Sequence, residues 1–146
     1  MDLYKSTAHE LHEKLVKKEI SSVELTNNVY DRIEEVEKDV KAYVTLDKEN
    51  ALAQAAKVDK MIAAGEAIAP LAGIPGAIKD NISTKGLRTT CSSKMLENLN
   101  PIYDAHVIKK LRADETIFLG KTNLDEFAMG STTETSYFGT SHNPWN

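Results

Sequence analysis

The chain has 146 residues, enough for one domain with a real core, and its single cysteine, Cys91, rules out an internal disulfide and fits a reducing compartment. With 18 Lys and Arg against 22 Asp and Glu, its formal charge of −4 makes it a poor candidate for gripping nucleic acid alone. No apolar signal-peptide core opens the chain, and the uncharged stretch 67–78 is too short and too interrupted by Pro and Gly to span a bilayer. A cytosolic protein without a membrane partner is expected.

Thr7-Ala8-His9-Glu10 reads as a capping box that opens a helix to about Lys18, with Leu11 and Leu15 on one face. Ser21-Ser22-Val23-Glu24 repeats the device, and Leu25, Val29, Ile33 and Val36 then recur at helical spacing. A short strand is expected over 42–46. Asp47 is expected to cap a third helix with Ala51, Ala55, Val58 and Ile62 on its face, ending near Gly65.

From Pro70 onward Gly, Pro and β-branched residues take over, and strands are predicted over 77–79 and 115–120. The helix predicted between them, over 104–113, has Val107, Ile108 and Leu111 as its buried side. Strand, helix and strand at this spacing imply a crossover unit in an α/β sheet. From Thr135 the sequence is polar and turn-rich with no terminal element. It fits a mobile tail or a chain stopping inside a larger domain; the second is expected, because an isolated strand pair is rarely stable.

Lys79 is the first charge after the uncharged stretch 67–78. Burial disfavours an ammonium and moves a lysine towards a usable base, so a desolvated Lys79 would be chemically competent. Strand alternation sends Ile78 and Asp80 away from it, so Asp80 need not hold it protonated. The alternative is a strand-end lysine reaching solvent. The preceding glycines do not make a phosphate loop, which requires Gly-Lys-Ser/Thr where this chain has Ile78-Lys79-Asp80.

Cys91 would need a histidine beside it to act as a nucleophile, and nothing in the sequence pairs it with His9, His12, His106 or His142. Those histidines form no ligand-spaced cluster, so no metal site is expected. Five hydroxyl residues follow Gly130 within six positions. They suit either a polar substrate or a capped loop bonding its own backbone. Asp125 and Glu126 are adjacent and so point apart, a weak pair for acid–base work.

Two runs, Gly73-Ile74-Pro75-Gly76-Ala77-Ile78-Lys79-Asp80-Asn81 and Gly120-Lys121-Thr122-Asn123-Leu124-Asp125-Glu126-Phe127-Ala128-Met129-Gly130, resemble the amidase signature family. The hydroxyl-rich continuation from Ser131, and Thr89-Thr90-Cys91-Ser92-Ser93, narrow the likeness to its tRNA-dependent amidotransferase branch. The resemblance implies an α/β fold: amino-terminal helices over about 1–66, then the start of a mixed-sheet catalytic core over 67–146, as the truncated first part of one amidase domain. It also implies a serine–serine–lysine relay with Lys79 as base, and Met129, Gly130 and Ser131 beside the substrate.

In that branch the substrate is glutamine, and the ammonia passes to a partner subunit in a heterotrimer. The partner binds tRNA and uses ATP and magnesium; this chain itself is expected to hold no cofactor. Both family serines follow the Asn-Pro segment at 143–144, so these residues hold the base without its nucleophile, and Ser83, Ser92 and Ser131 do not match those positions. An inactive piece is the expectation. A stand-alone amide hydrolase of the family and a non-catalytic binding domain with a solvent-facing Lys79 are the alternative readings.

Overall fold

A computed structural model describes residues 2–145. The first helix, α1 (Ala8–Val16), opens with the full capping box between Thr7 and Glu10, an arrangement that stabilises a helix start by about 1 kcal/mol. In α2 (Ser22–Val40) the box is half realised: Ser21 accepts from the Glu24 amide. Asp59 of α3 (Lys48–Ala63) does the rest, accepting from the amides of Ser22 at 2.6 Å and Val23 at 3.1 Å. A carboxylate from a neighbouring helix thus meets the positive end of α2.

Between these helices lies β1 (Tyr43–Leu46); β2 (Pro75–Lys79), α4 (His106–Ala113) and β3 (Ile117–Thr122) follow. The sheet order is β1-β3-β2, with β2 parallel and β1 antiparallel to β3. The expected crossover is therefore present, and β1 makes the sheet mixed. As the central strand, β3 is buried on both faces, which is why Ile117-Phe118-Leu119 runs apolar without alternation. Ile117 and Leu119 pack with Tyr30, Ala51, Ala55 and Val58 from α2 and α3, whereas Phe118 packs with Ile78 and Ile108. A third cluster joins Leu3, Leu11, Leu15, Leu25 and Ile74 beneath α1.

Several local expectations are corrected by tertiary contacts. Thr26 and Tyr30 of α2 are more deeply buried than Val29 or Val36, and the Tyr30 hydroxyl is satisfied there by donating to the Leu119 carbonyl at 2.7 Å. Asp47 makes no side-chain cap; its amide donates to that same carbonyl, and its carboxylate accepts from Asn50. Helix α4 begins two residues later than expected because Asp104 is drawn off to the Lys85 amide and Arg112. Val107 lies on its exposed side. Residues up to 142 are not a loose tail: His142 donates to the Val40 carbonyl, and Ser141 to that of Lys41.

Candidate active site

Lys79 is the last residue of β2 and lies opposite Thr122 of β3, while Ile78 lies opposite Lys121. Alternation along parallel strands therefore places Ile78 and Lys121 on one face and Lys79 on the other. Ile78 and Asp80 are buried, and Lys79 is exposed. The expected separation from Asp80 holds, and among the described residues Lys79 matches the alternative of a strand-end lysine reaching solvent. Its strand lies at the sheet edge, and its side chain points away from the α4 face that buries Ile78.

The buried lysine of this region is Lys121. Its side chain is fully enclosed, and its Nζ donates to the Ile82 carbonyl at 2.5 Å and to the hydroxyls of Thr89 at 3.0 Å and Thr84 at 3.1 Å. Those hydroxyls in turn donate to the carbonyls of Ile82 and Leu87, which leaves their lone pairs for the ammonium. Burial pushes the Lys121 ammonium down to about 8, against the pull of the Asp80 charge. Reading β3 as ending at Gly120 hid this; extended two residues, the strand carries Lys121 into the interior.

Asp80 organises the loop that follows β2. Its Oδ2 accepts from the amides of Thr90 and Ser92 and from the Thr90 hydroxyl. Its Oδ1 is buried with no hydrogen-bond partner among the described residues. The backbone at Cys91 and Ser92 is left-handed, with φ of 52° at both. Burial and the Asp80 charge raise the Cys91 thiol, opposite to what a thiolate nucleophile needs.

From this loop, Ser92 reaches the second one. Its hydroxyl donates to Asn123 Oδ1 at 3.1 Å and accepts from the Leu124 amide at 3.2 Å. Its carbonyl accepts from Tyr137, and that of Cys91 accepts from Phe127. Asp125 then closes the loop carrying Met129, Gly130 and Ser131. Its Oδ2 accepts from the amides of Thr132 at 2.8 Å and Thr133 at 2.9 Å. Its Oδ1 accepts from the amide and hydroxyl of Thr135 at 3.2 and 2.9 Å. These amides hold the carboxyl down at about 2.

Gly130 lies so close that an added Cβ would stand 2.5 Å from Asp125 Cγ. Glu126 points elsewhere and accepts from Ser93, as adjacency required. Four of the five hydroxyl residues bond within this loop or to Asn123, which favours the capped-loop reading for them. Met129, Gly130 and Ser131 are exposed. No described hydrogen bond joins Lys79 to those three residues; Asp80, Ser92 and Asn123 connect the two loops instead.

The family model "Amidase" matches residues 24–146. The chain is 57% identical over 145 residues to the A subunit of glutamyl-tRNA(Gln) amidotransferase from Desulforamulus reducens, covering 99% of this chain and 30% of that protein. The peptide amidase of Stenotrophomonas maltophilia matches in structure with a TM-score of 0.89 at 30% identity, over 97% of this chain and 30% of that one. The A subunit of the amidotransferase from Thermotoga maritima gives 0.71 at 35% identity, over 100% of this chain and 29% of that one. The chain thus spans about 30% of the length of the proteins it matches. With the two family motifs meeting on adjacent strand ends, and the family model matched through both, the chain belongs to the amidase signature family.

Proposed function

We propose that this chain serves in the glutamine-hydrolysing subunit of a glutamyl-tRNA(Gln) amidotransferase. The observation that carries this reading is the 57% identity, over 145 residues, with the A subunit of the Desulforamulus reducens enzyme. Lys79 acts as the base of a serine–serine–lysine relay, the serines lying beyond Asn146 in the full-length subunit. Neutral Lys79 takes the proton of the bridging serine, which deprotonates the nucleophile. The nucleophile attacks the glutamine side-chain amide, forming a glutamyl ester and releasing ammonia; water then hydrolyses the ester. The loop of Met129, Gly130 and Ser131 lines the substrate.

A partner subunit, using ATP and magnesium, amidates Glu-tRNA(Gln) with the ammonia in a cytoplasmic heterotrimer. The net charge of −4 accords with leaving tRNA mainly to that partner. Residues 1–146 alone hold no relay serine at the family positions and are inactive on glutamine. The stand-alone hydrolase reading draws on the higher TM-score of the peptide amidase, 0.89 against 0.71. Fold likeness does not separate substrates within a family, and the sequence identity favours the amidotransferase.

In the full-length subunit with its partners, Lys79→Ala should abolish ammonia release from glutamine while the circular dichroism spectrum is retained. Near-normal turnover would remove Lys79 from the role of base. Recovery of the full-length protein only as a monomer, without copurifying subunits, would favour the stand-alone hydrolase.

A further inference from the structure

We propose that Lys121 is a positioning residue for Lys79: by fixing the turn that leaves β2, its ammonium sets the direction in which the base side chain projects. The inference rests on the reading of Lys79 as the base. The turn is closed by the Ile82 amide donating to the Lys79 carbonyl at 3.0 Å. The Ile82 carbonyl, at the other end of the same turn, accepts from Lys121 Nζ. Lys79 is thereby held from both sides, by its ladder with Thr122 in β3 and by a turn pinned to the neighbouring residue of that strand.

The remaining Lys121 donors extend the clamp. Thr84 and Thr89 lie further along the loop, so one ammonium gathers three points of the segment 82–89. Every one of the three acceptors is neutral. Lys121 has no carboxylate within salt-bridge distance among the described residues. A buried charge satisfied only by a carbonyl and two hydroxyls is costly to keep unless its geometry serves something. What it serves is the loop: apolar replacement would leave the Ile82 carbonyl without its Lys121 donor, and the turn after Lys79 with one anchor fewer.

None of the three Lys121 hydrogen bonds reaches the 129–131 loop, so its effect is separable from substrate binding. In the full-length subunit with its partners, Lys121→Met is expected to lower kcat for ammonia release from glutamine by about 10- to 100-fold, with KM held to about twofold. Amide hydrogen exchange should quicken over residues 82–91 and stay unchanged over 132–135. Thr89→Val removes one acceptor, changes little volume, and should give the same pattern at about 3- to 10-fold. If Lys121→Met does not fold, Thr89→Val decides.

Turnover within about twofold of the parent overturns the proposal, as does a KM that rises as steeply as kcat falls. Exchange that quickens equally in both loops also overturns it, since that is general loosening. Lys79→Ala is measured alongside. If it keeps turnover, the base reading fails, while the local exchange pattern still reports whether Lys121 holds the turn.

Discussion

Lys121 and Asp125 leave the same end of β3, both are buried, and each gathers a loop, yet folding favours the charge of one and disfavours that of the other. Asp125 receives three backbone amides and a hydroxyl, all donors aimed at its oxygens, so folding favours its charge and its carboxyl drops to about 2. Lys121 meets only neutral oxygens, and the loss of water outweighs them, so folding disfavours its charge and its ammonium drops to about 8. Oriented donors, and not enclosure, decide whether a buried charge stabilises a fold.

The two also differ in reach. The Asp125 partners lie within ten residues along the chain, whereas those of Lys121 lie 32 to 39 residues back, across a strand boundary. Asp125 closes its own loop; Lys121 joins β3 to the loop after β2. Crowding the carboxylate should have the largest effect. Gly130→Ala drives a methyl into Asp125 and should cost about 2–3 kcal/mol in urea unfolding. A cost under about 0.5 kcal/mol would mean the loop does not need its close approach.

Next in size is an alkaline signature at Lys121. The folded ammonium gives up its proton near 8 and the unfolded one near ~10.4, so between those values the unfolded state binds more protons. The cost of the charge is present below 8 and relieved above it. The parent should therefore gain stability relative to Lys121→Met as pH rises from 8 towards ~10.4 in thermal melts. A flat difference would deny the desolvation.

Asp125 should show the mirror image in acid. Its contribution is complete above the unfolded carboxyl value of ~3.9 and is lost as pH falls through about 2. In acid titration Asp125→Asn should be less stable than the parent at neutral pH, and the two should converge near pH 2. Parallel curves would contradict the shift. The smallest effect belongs to the link between the loops: Ser92→Ala, which removes an acceptor from the Leu124 amide, should cost about 1–2 kcal/mol. No measurable cost would show that the remaining links between the loops, Phe127 to Cys91 and Tyr137 to the Ser92 carbonyl, suffice.

Much of this architecture was legible in the chain itself because periodicity and caps are local signals. The Thr7 box, the Leu11 and Leu15 face, the Ala51-Ala55-Val58 stripe and the β2-α4-β3 crossover all follow from residues within one turn or one strand of each other. What escaped depends on distant partners. Asp104 falls outside the helix predicted from it because Lys85 and Arg112 claim its carboxylate, and Tyr30 is buried where Leu119 supplies an acceptor. At the candidate site, the motif pointed to Lys79 and to 129–131, while the buried charges that hold both loops went unseen. An uncharged stretch before Lys79 suggested burial there, but enclosure is set by strand position, and the central strand carries Lys121.

The order β1-β3-β2 places β3, the last of the three strands among the described residues, in the middle of the sheet. On a ribosome, both flanking strands emerge first and wait, because among the described residues neither has a ladder partner until Ile117–Thr122 is made. The Tyr30 hydroxyl likewise waits for Leu119, 89 residues later. Helices α2 and α3 can form early, yet the sheet against which they bury cannot assemble piece by piece from the amino terminus. A nascent chain halted before Ile117 lacks the strand against which Tyr30, Ala51, Ala55 and Val58 of those helices pack.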